Sequence, residues 1–269
     1  MDKRLDFGAA FSRVFDLYGK YFVPLITYSA IFYGVLALFW TLVVGVLITS
    51  LAAGIGFAAL GLVLTIIASM LLSGAYILAL DDAEKTGSFP SFGEVWPRVT
   101  PKLGALVVTS LLAGIGIAVG FVLLIVPGLV LATWWFVAAA VVMLEGESGP
   151  GALGRSRALV RGNGWTVFGL VVVVNLITGI ASSILGKIIE GIFGFNDLVA
   201  TFFGQFIPGV LTAPIGALLT VVVYQSLTGA GGSGGSEFEQ GTMPPATYPA
   251  VPPTTPPPAS TDHNAGPFV

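Results

Sequence analysis

Charged side chains are scarce in this sequence of 269 residues and absent from long stretches of it. Asp, Glu, Lys and Arg make up 9% of the chain, against about 25% in an average soluble domain. Hydrophobic residues make up 55%. So few charges cannot cover the surface of a water-soluble protein of this length. The composition therefore predicts that lipid surrounds most of the chain.

Cysteine is absent, and histidine occurs once, at His263 near the C-terminus. The lack of cysteine excludes disulfides and thiolate metal sites. With no histidine in the apolar part, neither a His-based zinc site nor a Ser-His-Asp constellation can be built in the membrane. The N-terminus also lacks the features of a signal peptide. We therefore expect a non-enzymatic protein without cofactors or bound metal.

Four long gaps between charged residues set the number of membrane spans. The gaps follow Lys20, Lys102, Arg161 and Asp197, and they contain 60, 42, 25 and 39 residues. One spanning helix needs about 20 apolar residues, so the gaps fit two, two, one and one spans. Unbroken apolar runs such as residues 171–174 contradict the alternating pattern of a β-barrel. The predicted fold class is all-α: a polytopic integral membrane protein with six transmembrane helices.

The predicted spans are residues 22–49, 57–80, 103–126, 128–144, 165–186 and 209–227. Residues 53–56 are the predicted turn of the first hairpin, and Pro127-Gly128 is that of the second. A loop is expected at 187–197. Two prolines interrupt residues 198–228, which are too long for one straight helix, so residues 198–206 are predicted to form a separate lead-in.

Three short segments with basic residues alternate with the hairpins, at residues 7–20, 91–102 and 150–163. The first is amphipathic, with aromatic side chains on one face and charged ones on the other. This pattern predicts short helices in the membrane interface. The alternative is that they form a cap packed on the bundle.

The basic residues also predict the orientation. Ten of the eleven Lys and Arg residues fall on one side of a six-span arrangement, and only Lys187 falls on the other. The positive-inside rule then places both termini in the cytoplasm. Near the membrane surface, each cation gains about 1 kcal/mol from anionic lipid. The candidate residues for lipid headgroup contact, or for topology alone, are Arg13, Lys20, Arg98, Lys102, Arg155, Arg157 and Arg161.

No ionisable side chain lies deep within a predicted span, which argues against an ion-coupled pump. Asn175 and Gln205 are the most polar intramembrane candidates. For both, an interhelical hydrogen bond is favoured over contact with a substrate. Two pairs of small residues four apart fit close helix packing: Gly116 with Gly120, and Gly179 with Ser183.

The chain changes character after residue 228. Residues 1–228 form the predicted membrane domain, and residues 229–269 form a Gly/Ser-rich and then Pro-rich tail. Such a tail cannot bury a core, so we expect it to be disordered and cytoplasmic. Its Pro-x-x-Pro segments at 249–252 and 253–256 can dock a protein partner, and the alternative is a spacer.

The order of segments along the chain suggests an internal threefold repeat, and chance similarity is the alternative. The order short basic helix, span, turn, span occurs three times, and residues 7–14 resemble residues 92–99. Three repeated hairpin units would explain the pattern, but low-complexity apolar sequence also produces such matches.

A run of motifs in the second half of the chain carries a family resemblance. The motifs are Val126-Pro-Gly-Leu-Val-Leu131, Val142-Met-Leu-Glu-Gly146, Gly151-Ala-Leu-Gly-Arg-Ser156, and Leu159-Val-Arg-Gly162 followed by Trp165. This order resembles the membrane domain attached to some bacterial glycerophosphoryl diester phosphodiesterases, and its stand-alone polytopic relatives. The resemblance implies a six-span protein of the bacterial cell (inner or plasma) membrane. It does not imply catalysis, because that chemistry belongs to a separate soluble domain.

The sequence thus leaves two function hypotheses. The first is a non-enzymatic scaffold or accessory subunit that contacts lipid headgroups. The second is a passive or lipid/small-molecule transporter with a pathway between the helices. The expected partners are membrane lipids, with no nucleic acid; a protein bound through the Pro-rich tail is the alternative to a spacer, which is favoured.

Overall fold

The computed structural model describes residues 5–194 and 196–229. Nearly all of this part is helical, and it contains no strand, so the predicted all-α class is confirmed. Residues Thr100–Lys102 form a 3-10 turn, and residues Val141–Glu145 form a π-helical turn. The helices are α1 (Phe7–Lys20), α2 (Phe22–Thr49), α3 (Leu51–Thr86), α4 (Phe92–Val99), α5 (Leu103–Leu123), α6 (Ile125–Trp134), α7 (Ala138–Ala140), α8 (Gly149–Val160), α9 (Gly164–Phe193) and α10 (Asp197–Thr228).

Six segments are long and apolar enough to cross a membrane, which confirms the predicted count of spans. The predicted tail, with its Pro-x-x-Pro segments and His263, lies outside the described residues apart from residue 229. The six segments are Phe22–Thr49, Leu51–Thr86, Phe92–Leu123, Ile125–Glu145, Gly164–Phe193 and Asp197–Thr228.

The turn between the first two spans lies at Ser50, so the predicted turn at residues 53–56 is wrong. Ser50 has extended backbone, and α3 begins at the next residue. The glycines instead continue the helix. A Cβ on Gly54 would lie 2.4 Å from the side chain of Leu47, so this glycine allows α2 and α3 to approach closely beside the turn.

The predicted turn at Pro127-Gly128 is also wrong, by a few residues. The chain reverses at Leu124, which is extended, and Pro127 lies in the first turn of α6. Proline fits there because the N–H groups of a first helical turn have no intrahelical acceptor. A Cβ on Gly128 would lie 2.6 Å from the ring of Phe121, so Gly128 serves the packing of α5 on α6.

Of the two small-residue pairs, the first packs as predicted. A Cβ on Gly116 would lie 2.5 Å from the ring of Trp135, and one on Gly120 would lie 2.9 Å from the backbone of α6. For the second pair, no described atom lies within 4 Å of a Cβ built on Gly179, and Ser183 is exposed. The prediction for Gly179 and Ser183 is therefore wrong within the described part of the chain.

The last two spans are longer than predicted. Helix α9 runs through Lys187 and Glu190 to Phe193, where a loop was expected. Helix α10 is one helix of 32 residues that includes Pro208 and Pro214, so the predicted lead-in at residues 198–206 is wrong. The side chain of Asn196 caps its first turn by accepting from two backbone N–H groups.

Helices α3 and α10 are longer than a membrane span because one end of each packs with the short helices. Helix α3 has 36 residues, so it is about 54 Å long, whereas the hydrocarbon core of a bilayer is about 30 Å thick. Buried side chains concentrate at the end of α3 around residues 74–80 and at the end of α10 around residues 217–225. We call this region the basic layer: α1, α4, α8, residues 72–86 of α3 and residues 217–228 of α10.

Tyrosine side chains link segments within and beside the basic layer. Their hydroxyl groups donate to backbone carbonyls of other segments, which satisfies polar groups that packing removes from solvent. These hydrogen bonds join Tyr18 to Leu211 (2.9 Å), Tyr21 to Ala83 (3.2 Å), Tyr28 to Pro90 (3.1 Å) and Tyr76 to Leu25 (3.0 Å).

The helix of the fourth spanning segment is interrupted after Trp134. Helix α6 ends at Trp134, and the chain resumes as α7 and the π-helical turn after a short non-helical link. Two side chains donate to backbone carbonyls of this region: Ser156 Oγ to Trp134, at 2.8 Å, and Lys102 Nζ to Met143. Residues 140–143 are buried in protein, which is where irregular backbone is tolerated in a membrane protein.

Gly209 provides a test of the central packing between α2 and α10. A Cβ at this position would lie 2.1 Å from the ring of Tyr33. We expect Gly209→Ala to lower stability by about 1–3 kcal/mol, because the ring must move away. The matched control is Gly216→Ala in the same helix, where a Cβ meets no atom within 4 Å. Thermal unfolding in one detergent compares the two; equal midpoints would contradict the close approach.

Candidate functional site

Each short helix of the basic layer is attached to the bundle by an arginine–carboxylate pair. All three arginines belong to the predicted set of lipid or topology residues. In the structure they make intramolecular contacts with carboxylates at the ends of spans. The pairs are Arg13 of α1 with Glu84 (2.6 Å), Arg98 of α4 with Asp82, and Arg155 of α8 with Glu145 (2.8 Å).

The first pair belongs to a cluster that joins α1, α3 and α10. The guanidinium of Arg13 donates to Glu84 Oε1 and also to Gln225 Oε1, at 2.9 Å. Gln225 is buried, and the side chain of Glu84 is only 19% exposed. Removing one member of such a cluster would leave a buried polar group without its partner, which is costly. The cluster therefore fixes α1 against the bundle.

The second cluster lies around Glu145, at the end of the fourth span. Its carboxylate accepts from Arg155 Nε at 2.8 Å and from the hydroxyl of Tyr224 at 2.9 Å. The hydrogen bond from Arg155 to Glu145 raises the pKa of the guanidinium above its ordinary value. The cluster joins α8 to α10. Because Tyr224 and Gln225 are neighbours, both clusters meet in the same turn of α10.

The third pair is more exposed. The side chains of Arg98 and Asp82 are 50% and 24% exposed, so solvent screening makes their attraction weak. A capping box formed by Ser91 and Glu94 stabilises the start of α4. Val95 and Val99 of α4 are fully buried. The apolar contacts therefore hold α4, and the ion pair orients it.

Sequence reasoning missed the acidic partners of these arginines. Three carboxylates, Asp81, Asp82 and Glu84, lie near the C-terminal end of α3. A negative charge is unfavourable there, because the helix dipole also places negative partial charge at that end. Such a placement signals nearby cations, and it could have identified the arginine pairs.

The other predicted basic residues have different neighbours. Lys102 donates to the carbonyl of Met143. The ammonium of Lys20 lies 5.0 Å from the ring of Tyr21, and the guanidinium of Arg157 lies 4.2 Å from the ring of Trp134. Within residues 5–194 and 196–229, no carboxylate forms an ion pair with these side chains or with Arg161. We call Lys20, Arg157 and Arg161, which are all exposed, the exposed cations.

The motifs behind the family resemblance occupy structural positions. Glu145 and Ser156 make the contacts described above, and Ala152 is fully buried. Gly146 and Gly162 have φ angles of 79° and 96°, which favour glycine. Gly146 and Gly162 lie in the connections before and after α8, and Ala152 and Ser156 lie in its packed face. The spacing of the motifs therefore reflects the packing of α8 on the spans.

Within the described residues, neither intramembrane polar candidate forms a side-chain hydrogen bond to a second helix. Asn175 Nδ2 donates to the carbonyl of Val171 in its own helix at 2.7 Å, so the predicted interhelical bond is wrong for Asn175. Asn175 lines a shallow groove of about 410 Å³. All the residues that line this groove belong to α9, and Lys187 is the last of them. Gln205 is exposed on α10, does not line that groove, and makes no side-chain hydrogen bond to the described residues.

Metal-ligating side chains do not cluster in the part of the chain that the structure describes. No group of three His, Cys, Asp or Glu residues there could hold an ion. The expectation of a protein without cofactors stays a prediction.

The Glu145 cluster can be tested directly. Glu145→Gln keeps an acceptor for Tyr224 but removes the charge that Arg155 binds. Partial exposure limits the loss to about 1 kcal/mol, which corresponds to about fivefold faster amide hydrogen exchange in α8. Glu147→Gln, at an exposed neighbouring site without an ion pair to the described residues, is the control. Unchanged exchange in α8 of Glu145→Gln would show that this contact does not hold the helix.

Comparison with known proteins adds a family but no activity. No curated protein and no solved structure matches the chain. Residues 92–231 match a family model described as Domain of unknown function (DUF7847). The match runs from α4 through α10, so it includes the Glu145 cluster and the last four spans. It covers 140 of the 269 residues, more than half. The chain is therefore a member of the DUF7847 family.

Proposed function

We propose that this protein is a non-enzymatic scaffold or accessory subunit whose basic layer holds anionic lipid headgroups at the membrane surface. The observation that carries the proposal is the division among the basic side chains. Arg13, Arg98 and Arg155 are used to dock the short helices. The exposed cations lie outside those pairs, and each gains about 1 kcal/mol near an anionic surface.

The construction of the basic layer supports a scaffold. Several of its polar side chains make contacts between segments, through the arginine clusters and the tyrosine hydrogen bonds. Side chains engaged in this way stiffen a platform and are not free to act on a substrate. The indole of Trp165, 87% exposed, lies at the start of α9 beside this platform. Tryptophan is enriched at the level of lipid headgroups.

We further propose that the basic layer faces the cytoplasm of a bacterial cell, with both termini on that side. The support is the distribution of charge: only Lys187 is basic at the opposite end of the spans. The resemblance to the membrane domain of bacterial glycerophosphoryl diester phosphodiesterases supports a bacterial cell membrane. That resemblance stays a prediction, because the matched family carries no named activity.

The transport alternative has less support. A pathway needs polar groups between helices, whereas the groove beside Asn175 is lined by one helix. Transport of a lipid or small molecule remains an untested prediction.

The lipid proposal predicts which lipids accompany the purified protein. Replacing Lys20, Arg157 and Arg161 together by Gln removes three surface charges. We expect the ratio of anionic to zwitterionic lipid retained in mild detergent to fall by at least about fivefold. Quantitative lipid mass spectrometry measures the ratio.

The matched control is Lys187→Gln, which removes a basic charge at the opposite end of the spans and should leave the ratio unchanged. If the triple variant retains the same lipids as the native protein, the exposed cations have no role in lipid binding and the proposal fails.

The absence of cysteine permits a clean test of orientation. Single variants Glu147→Cys and Glu190→Cys introduce one thiol each at exposed positions, near the basic layer and at the opposite end. With a membrane-impermeant maleimide on intact cells, we expect labelling of Glu190→Cys only, and labelling of Glu147→Cys after lysis. The reverse pattern would place the basic layer outside the cell.

A further inference from the structure

A lateral groove runs between α6 and the start of α9. It has a volume of about 480 Å³, within the range of about 300–1,000 Å³ that ligand sites occupy. Its walls are mainly apolar side chains from the two helices. The lining residues are Val126, Leu129, Val130, Thr133, Trp134, Gly162, Gly164, Trp165 and Phe168.

The interior of the groove offers little to a polar ligand. The hydroxyl of Thr133 donates to the carbonyl of Leu129 at 2.8 Å, so it is already satisfied within α6. Val126 to Trp134 extends about 12 Å along the helix axis, close to the thickness of one leaflet of a bilayer hydrocarbon core. The groove therefore fits an extended hydrocarbon chain from one leaflet.

One end of the groove is cationic. The guanidinium of Arg157 lies over the ring of Trp134, which lines the groove, and this cation–π contact holds the charge beside the groove. Arg161 immediately precedes Gly162, another lining residue, and is exposed. Helix α8 contains no acidic residue, and Glu145 already binds Arg155. Among the described residues, no carboxylate lies within ion-pair distance of Arg157 or Arg161.

We propose that this groove is a binding site for one anionic phospholipid, with an acyl chain between α6 and α9 and the phosphate at Arg157 and Arg161. The inference rests on the proposed function and deepens it, because it replaces general attraction to a charged surface by a defined site. Charge complementarity selects the occupant: guanidinium groups bind phosphate oxygens in a planar, two-bond geometry. The apolar lining requires that this phosphate be attached to a hydrocarbon chain.

The test titrates the full-length protein in detergent with phosphatidylglycerol and, separately, with phosphatidylcholine, and counts bound lipid by native mass spectrometry. We expect one tightly bound phosphatidylglycerol per chain. Val130→Trp fills the groove and should weaken its binding about tenfold. Arg157→Gln with Arg161→Gln should reduce it to the level of phosphatidylcholine. Glycerol phosphate, which lacks acyl chains, should not displace the lipid.

The matched control is Val35→Trp. Val35 lines a different apolar groove of about 390 Å³, beside Phe92 and Trp96 of α4. This variant should bind phosphatidylglycerol as the native protein does. If Val130→Trp also binds like the native protein, the groove is not the site, although lipid retention through the exposed cations would survive. Loss of that retention in the triple glutamine variant is measured separately, so the two failures are distinguishable.

A second measurement avoids the risk that Val130→Trp does not fold. Phosphatidylglycerol with brominated acyl chains should quench the fluorescence of the native protein more than brominated phosphatidylcholine does, because Trp134 and Trp165 line the groove. The excess should disappear in the variant that lacks Arg157 and Arg161. Equal quenching of the native protein by both lipids would overturn the proposal.

Discussion

The attachment of the short helices α1, α4 and α8 to the ends of membrane spans is the interaction on which the rest of this structure depends. An arginine on each short helix meets a carboxylate on a span, and the following residue in α1, α4 and α8, respectively Val14, Val99 and Ser156, is fully buried. The charge sets the orientation of the helix, and the buried side chain supplies the packing. Outside this layer the spans have lipid-facing apolar surfaces, as at Val35 and Val122, which are 69% and 86% exposed.

The six spans and the all-α class could be predicted, because both follow from composition. A run of residues in hydrocarbon satisfies its backbone only as a helix or within a closed barrel, and the unbroken apolar runs exclude the barrel. The ends of the helices were harder to predict. Glycine and proline marked turns in the sequence, but Gly54 and Gly128 serve close approaches between helices, and Pro208 lies inside α10. In a membrane protein these residue types report packing as often as chain reversal.

The candidate site shows a different limit. The sequence identifies the basic residues, but it does not show which of them pair with carboxylates and which are the exposed cations. That division depends on which carboxylate lies opposite each side chain, and Arg13 and Gln225 are 212 positions apart in the chain. The position of acidic residues at the end of α3 carried part of this information. The break in the fourth span was not predictable, because it depends on side chains from α8 and from the turn before α5.

The meeting of both polar clusters in one turn of α10 has a consequence for biogenesis. Arg13 precedes all six spans and Gln225 lies in the last of them, so α1 is synthesised five spans before the residues of α10 that it contacts. The aromatic face of α1, with Phe7 stacked on Phe11, gives this helix affinity for the membrane surface while the later spans are inserted. Closure of the layer is thus a late event of synthesis, and a chain truncated before Tyr224 lacks the residues that complete it.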